Sequence, residues 1–391
     1  MKRSVVAFAF AVTLGGSVSL SSAATAAAGT GTGSQVAVTP AGGQAIPGQY
    51  VVTLRAAQDP AAVARALAVV PRFVYDTVLN GFAARLTAGQ LRALQRSPNV
   101  VRIEQDAVFH AVTTQYMDSN GDPWGLDRID QRSRPLSGSY TYTHTGSGVR
   151  AYVIDTGIAT ADSDFGGRAS DVYDALGGNG QDCNGHGTHV AGTIGGTKYG
   201  VAKSAYLRGV RVLDCSGSGA TSGIIAGINW VASNAIHPAV ANMSLGGGYS
   251  SSLNSATTSL VNSGVFTAVA AGNSNADACN YSPASASGTL TVAASDRSDV
   301  RASFSNYGGC VDVYAPGVAI KSDWLNGGTN TISGTSMASP HAAGVGALYK
   351  STYGDAASST IVSWIVNNAT TNVISSNPSG TPNRLLYKNS L

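Results

Sequence analysis

The chain has 391 residues, of which 43% are hydrophobic and 12% charged, with 48 glycines and a formal net charge of +3. That length leaves room for about two domains, and high hydrophobicity with few charges excludes bulk disorder. The glycines follow no Gly-X-Y period, which excludes collagen and points to tight turns; a charge of +3 is only a weak pull toward anionic partners.

Residues 1–28 begin with Lys2 and Arg3, run through VVAFAFAVTLGG and end in small residues. This pattern predicts a cleaved secretory signal. The apolar run falls short of the roughly 20 residues a membrane span needs, and Gly15 and Gly16 interrupt it. The mature protein is therefore expected outside the cell, with no membrane contact after signal cleavage. Residues 29–47 are Gly-, Ala- and Pro-rich and read as a linker. In residues 48–112, QYVVTLR alternates like a strand and DPAAVARALAVV has helical spacing. FVYDTV and GFAARL read as strands, TAGQLRALQRS as a helix capped by Thr87, and NVVRIEQ as a closing strand. The order β-α-β-β-α-β predicts a small α+β, ferredoxin-like unit near the lower size limit for independent stability.

From residue 113 to 391 the texture changes. GVRAYVID, YLRGVRVL, PAVANMSL, GVFTAVAA, GTLTVAAS and CVDVYAP are apolar runs of strand length, separated in several places by helical segments. Near-continuous apolar strands alternating with helices predict an α/β fold whose mostly parallel sheet is covered on both faces. The active site of such a sheet gathers at the carboxyl ends of its strands.

Four motifs carry chemistry. VRAYVID ends in Asp155, followed by Thr156 and Gly157; alone, this acid reads best as a turn cap. DCNGHGTHVAGTIGG holds His186 and His189 at i, i+3, but the glutamate of a zinc H-E-x-x-H helix is missing. Glu104 is the single glutamate of the chain, and it lies in the small N-terminal unit. In GTSMASPHAAGVGALY, Ser336 opens an apolar helix, where backbone N–H groups favour developing negative charge. It is not a G-x-S-x-G elbow, and the chain order Asp155, His186, Ser336 is not that of an α/β-hydrolase. Asn273, in VAAGNS after a buried strand, can donate to an oxyanion. Each signal is modest by itself, whereas four complementary motifs in one order define nucleophilic serine catalysis. Export also favours disulfides for Cys183, Cys215, Cys279 and Cys310. Spacing leaves all three connectivities open, and no C-x2-C pair supports zinc.

On these motifs, with D-T-G, H-G-T-H-V-A-G-T, A-A-G-N and G-T-S-M-A-S-P-H intact, the sequence resembles the subtilase family of serine proteases. WGLDRIDQR, FSNYG and PNRLLY are similar to its proteinase K branch and to aqualysin-like extracellular members. The N-terminal GFAARLT and VVRIEQD blocks resemble the family's inhibitory I9-type propeptide. The resemblance implies a three-layer subtilisin-like fold over 113–391 preceded by the propeptide at 48–112. It implies Ser336 as nucleophile, His186 as general base, Asp155 as its orienting acid and Asn273 with the Ser336 N–H as oxyanion hole. His189 is left structural. Gly217, Ser218 and Gly219 on one side, and Ser244, Leu245 and Gly246 on the other, are implied to sandwich a peptide backbone. Thr221 replaces an aromatic of the fourth subsite. The pairing Cys183–Cys215 and Cys279–Cys310 is implied by the aqualysin-like spacing. Structural Ca2+ is implied at one or two sites: Asp312 with the carbonyls of Ser287 and Thr289, and Asp127, Asp130, Gln131, Ser137 and Ser139.

The expectation is a secreted, monomeric serine endopeptidase made as an autoprocessed zymogen. Its partners would be protein and peptide substrates and its own propeptide. The alternatives are a catalytically silent binding module that kept the fold and, less favoured, a metallohydrolase. Splitting the charge at residue 112 gives nine basic against four acidic residues before it, and fifteen against seventeen after it. The basic character belongs to the part that is cut off, so nucleic acid is not expected as a partner.

Overall fold

The computed structural model of the chain describes residues 35–41, 45–111 and 123–391. The expected signal segment lies outside these residues. In the N-terminal unit, Asp59 caps the helix Pro60–Ala66 by accepting from the N–H groups of Ala61 and Ala62. Thr87 and Gln90 form a reciprocal capping box on the helix Ala88–Arg96, which satisfies two N–H groups that a helix start leaves unpaired. Four antiparallel strands run in the spatial order Val100–Ala111, Ala45–Leu54, Gly81–Arg85 and Pro71–Tyr75. Val38–Thr39, inside the segment expected as linker, also pairs with Ile103–Glu104.

Side chains alternate across this sheet with a period of two. Val52, Leu54, Phe82, Ala84 and Ile103 face the unit's own helices and form its core. Val51, Tyr75, Ala83 and Ala107 face the other way and join a cluster with Ile224, Ile225, Ile228 and Leu253. Those four belong to the helices Thr221–Asn234 and Ser251–Asn262. A unit this small gains much of its apolar burial from that second face.

The larger part is built on a nine-stranded sheet. Its central strands, in spatial order, are Val313–Pro316, Leu290–Ser295, Phe266–Ala270, Ala239–Met243, Arg150–Asp155, Tyr206–Arg211 and Ala169–Asp174, all parallel. Most of these strands are buried on both faces, as helices on both sides require. The helix Thr335–Tyr353, buried over its first sixteen residues, crosses the middle of one face and packs against the helix His186–Gly195. Cys183 is joined to Cys215 and Cys279 to Cys310, with Cα separations of 4.9 and 5.3 Å. Each closes a loop of about 30 residues, worth roughly 3–4 kcal/mol in the chain-entropy description.

Two histidines are held inside without charge. His189 Nε2 donates to the Ile320 carbonyl and His341 Nδ1 to the Met337 carbonyl. Burial lowers their imidazoles to about 3 and about 4. The unfolded chain binds protons from about pH 6.5 downward that the folded chain refuses, so each histidine removes stability as pH falls through that window. His341→Gln should therefore close the stability gap to the parent by about 2–3 kcal/mol between pH 7 and pH 4.5. Denaturant titrations of the two proteins at both pH values measure this, since every other titrating group is common to them.

Candidate active site

The central strand delivers Asp155 to the carboxyl edge of the sheet, fully buried. Its Oδ1 accepts from His186 Nδ1 and from the Thr156 N–H, both at 2.7 Å. His186 is the first residue of its helix, entered through Gly185 at φ +104°, where a Cβ would strike the Trp324 ring at 2.3 Å. Only glycine makes this approach without strain. Asp182 fixes the same corner. It accepts from Thr156 Oγ1, from the N–H groups of Asn184, Gly185 and Thr188, and from Thr188 Oγ1. Thr156 Oγ1 in turn accepts from the Gly187 N–H at 2.9 Å. Burial works to lower the His186 imidazole, but the Asp155 charge and hydrogen bond, then the Asp182 charge, raise it overall.

Ser336 is the second residue of its helix and fully buried. Its hydroxyl donates to the Ser244 carbonyl at 3.2 Å, while His186 Nε2 has no hydrogen-bond partner among the described residues. His186 is thus oriented by Asp155, and among the described residues its Nε2 makes no hydrogen bond to the Ser336 hydroxyl. Asn273 follows the strand Phe266–Ala270. Its Oδ1 accepts from the Thr335 N–H and hydroxyl, each at 2.9 Å, and its buried Nδ2 has no acceptor among the described residues. A buried amide donor without a partner costs about 1–3 kcal/mol, which a developing oxyanion would return.

The two segments read as a peptide clamp are short strands, Ser218–Ala220 and Leu245–Gly248. Val100–Ala111 of the N-terminal unit lies antiparallel between them. Phe109 is opposite Gly219, His110 opposite both Ser218 and Gly246, and Ala111 opposite Leu245. A Cβ on Gly219 would meet the Val212 carbonyl at 2.3 Å. Beside this strand, a cavity of about 150 Å³ is walled by Gly246, Gly248, Ala270, Asn273, Tyr281 and Ala284.

Sequence reading missed two carboxylates of the same strand that leave the N-terminal unit for the larger part. Glu104 accepts from Ser250 Oγ, from Ser251 Oγ at 3.0 Å and from the Ser252 N–H at 2.8 Å, at the start of the helix Ser251–Asn262. Asp106 accepts from the Ser222 N–H at 3.0 Å, at the start of the helix Thr221–Asn234. The Thr221 hydroxyl donates to the Ala107 carbonyl. Helix N-termini attract negative charge. Loss of such a cap costs about 1–2 kcal/mol, so Glu104→Ala in a propeptide supplied in trans should raise its inhibition constant about 5- to 30-fold. Steady-state inhibition assays measure it, and an unchanged constant would deny the cap any role.

The oxygen-rich sets differ in how they assemble. Asp127 accepts from the Ser137 N–H and Oγ and from the Gly138 N–H, Gln131 Oε1 accepts from the Ser137 N–H, and Ser137 and Ser139 share a hydroxyl contact of 2.9 Å. Asp130 instead pairs with Lys388 Nζ at 3.1 Å and accepts from Thr141. Asp312 accepts from the Thr291 N–H, and burial raises its carboxyl; the Ser287 carbonyl accepts from Thr258. Among the described residues no three His, Cys, Asp or Glu side chains converge to hold a metal by themselves.

Comparison with known proteins places this geometry. The subtilase family profile matches residues 146–385, and that of the peptidase inhibitor I9 matches residues 72–111. The chain is 45% identical to the extracellular serine proteinase of Thermus sp. (strain Rt41A), over 88% of this chain and 90% of that protein. It is 54% identical to alkaline serine exoprotease A of Vibrio alginolyticus, over 80% of this chain and 59% of that protein. Proteinase R of Parengyodontium album is 45% identical, over 89% of this chain and 91% of its own. The crystal structure of a cold adapted subtilisin-like serine proteinase superposes with a TM-score of 0.67 at 54% identity, covering 69% of this chain and 99% of that one. The chain belongs to the subtilase family of serine proteases and carries an I9-type propeptide ahead of its protease part.

Proposed function

We propose that the chain is the zymogen of an extracellular serine endopeptidase that processes itself between Val112 and Thr113. The observation that carries this reading is the strand Val100–Ala111, lying antiparallel between Ser218–Ala220 and Leu245–Gly248 as a substrate would. Its last paired residue, Ala111, stands one position before the boundary at 112. The cavity beside this strand has no charged side chain in its walls, which supports small, uncharged residues as occupants. Ser336 would attack the scissile carbonyl and His186 would take its proton and later protonate the leaving amine. Asp155 would hold the imidazole tautomer and stabilise the imidazolium. The Asn273 Nδ2 and the Ser336 N–H would donate to the oxyanion. Backbone pairing on both sides of the substrate is largely blind to side chains, which supports broad specificity. The propeptide would act as chaperone and inhibitor. Among the described residues no helix is long and apolar enough to cross a membrane.

Structural Ca2+ belongs to the same reading. The neutral and acidic oxygens of Asp127, Gln131, Ser137 and Ser139 suit a hard cation, with Asp130 available only if its contact with Lys388 opens. The buried Asp312 with the Ser287 and Thr289 carbonyls is the second set. Bound there, the ion would supply positive charge that pins loops, with no part in the chemistry.

A fluorophosphonate probe tests the central assignment. It should label the secreted protein at Ser336, whereas Ser336→Ala should remain full-length and unlabelled. Casein hydrolysis by Ser336→Ala at the parent rate would sink the triad and favour a silent module or a metal-dependent hydrolase.

A further inference from the structure

A second cluster of acids lies at the far end of the helix that begins with His186, away from the triad. Asp323, in the strand Ile320–Trp324, is 2% exposed, and its Oδ2 has no hydrogen-bond partner among the described residues. The neighbouring Ser322 Oγ is fully buried and equally without a partner. Both oxygens point at Gly192, where a Cβ would come within 2.3 Å of Ser322 Oγ and 2.4 Å of Asp323 Oδ2. One turn on, the point where a Gly196 Cβ would sit is 2.4 Å from Asp164 Oδ2, 2.8 Å from the Gly192 carbonyl and 2.9 Å from Asp323 Oδ2. Two glycines thus leave a cradle into which two carboxylates, a hydroxyl and a carbonyl converge. Asp162 stands beside them with its own buried Oδ2 unpartnered.

No protein cation pairs directly with these carboxylates among the described residues, although Arg168, Lys198 and Lys203 stand near enough to feel their charge. Among the described residues none of Asp162, Asp164 and Asp323 forms an ion pair. The nearest guanidinium, that of Arg168, donates to the carbonyls of Gly195, Ala205 and Asp164 and to Thr197 Oγ1. Lys198 donates its backbone N–H to Asp164, while its exposed ammonium forms no ion pair with it and acts on the acids only through space. A buried carboxylate without donors is costly unless a positive species accompanies it. The cradle also lies at the C-terminal end of the helix His186–Gly195, where the helix dipole favours positive charge.

We infer that Asp164, Asp323, Ser322 and the Gly192 carbonyl form a calcium site that fastens the C-terminal end of the His186 helix to the strand Ile320–Trp324. All the donors are oxygens, two of them carboxylates, matching a hard divalent ion of flexible geometry, with water completing the shell. The site shares no residue with the two sets named above. Without a cation, burial and then the charges of Asp164 and Asp162 push the Asp323 carboxyl up to about 8, a burden that a bound ion lifts.

The test uses the full-length chain carrying Ser336→Ala, which prevents self-digestion, with Ca2+ alone as the probe. Equilibrium dialysis should find one Ca2+ fewer bound to Asp323→Asn than to its parent, and a smaller calcium-dependent rise in Tm. Ser322→Ala keeps the carboxylates and should retain that ion with weaker affinity, which covers the case in which Asp323→Asn does not fold. Equal stoichiometry and unaltered affinity in both variants would overturn the site. So would an Asp323→Asn protein that is more stable than its parent above pH 8 at every calcium concentration, because a proton shared between Asp164 and Asp323 would then be the missing positive species.

Discussion

Asp155→Asn is expected to lower kcat by about four orders of magnitude while leaving KM within a few-fold of the parent. The fully buried Asp155 lies 2.7 Å from His186 Nδ1, a contact that favours the proton on Nδ1 and would leave Nε2 free for the proposed role of base. An asparagine can present its NH2 group to Nδ1 and so stabilise the opposite tautomer, in which Nε2 carries the proton and cannot accept one from Ser336. The strands Ser218–Ala220 and Leu245–Gly248, proposed to clamp the peptide, make no use of Asp155, so binding should survive. The same substitution removes the charge that raises the His186 imidazole. The acid limb of the residual kcat/KM profile should therefore move to lower pH, because the base stays unprotonated further into acid. Steady-state kinetics on a peptide amide across pH measure both effects; a kcat within tenfold of the parent would remove Asp155 from the mechanism.

The second large effect belongs to Asn273. Asn273→Leu should reduce kcat about 10²- to 10³-fold, some 3–4 kcal/mol of transition-state stabilisation, with KM little changed. The loss should be confined to kcat because Nδ2 has no partner among the described residues and would gain one only when the carbonyl oxygen becomes an oxyanion. Oδ1 has a separate duty, since it holds the N–H and hydroxyl of Thr335, the residue before Ser336. Asn273→Asp keeps that anchor and loses the donor. If both variants fall by a similar factor and keep the parent Tm, the donor carries the effect. If Asn273→Asp retains near-parent kcat, Asn273 is an anchor and the oxyanion is held elsewhere.

Much of this was legible in the sequence because it rests on local pattern. Continuous apolar runs of strand length such as GVFTAVAA, alternating with helical segments, read as strands buried on both faces, and they fold as parallel neighbours. Thr87 with Gln90, and Asp59 before Pro60, announce their helices through backbone chemistry that needs no tertiary partner. What stayed hidden depends on pairs far apart in the chain. Glu104 and Asp106 read as ordinary strand charges until the fold sets them against helix starts at Ser252 and Ser222. The family resemblance offers Asp130 as a calcium ligand, yet Lys388, near the other end of the chain, takes one of its oxygens. Val38–Thr39 sits in a stretch whose composition says linker, and only an open sheet edge makes it a strand. The hydroxyl of Ser336 turned toward Ser244 could not be foreseen either, since it depends on side-chain rotation.

The register of Val100–Ala111 bears on how the enzyme would be switched on. Every paired residue of that strand lies on the acyl side of the proposed cut, through Ala111, and the caps at Glu104 and Asp106 lie further upstream. Breaking the bond after Val112 would therefore leave in place every cleft contact that these described residues make. The severed piece would remain as a tightly held reaction product, and its slow departure or destruction, not bond cleavage, would set the moment of activation. A few molecules that escape first could digest the inhibitors of the rest, giving a population that stays silent and then turns on together.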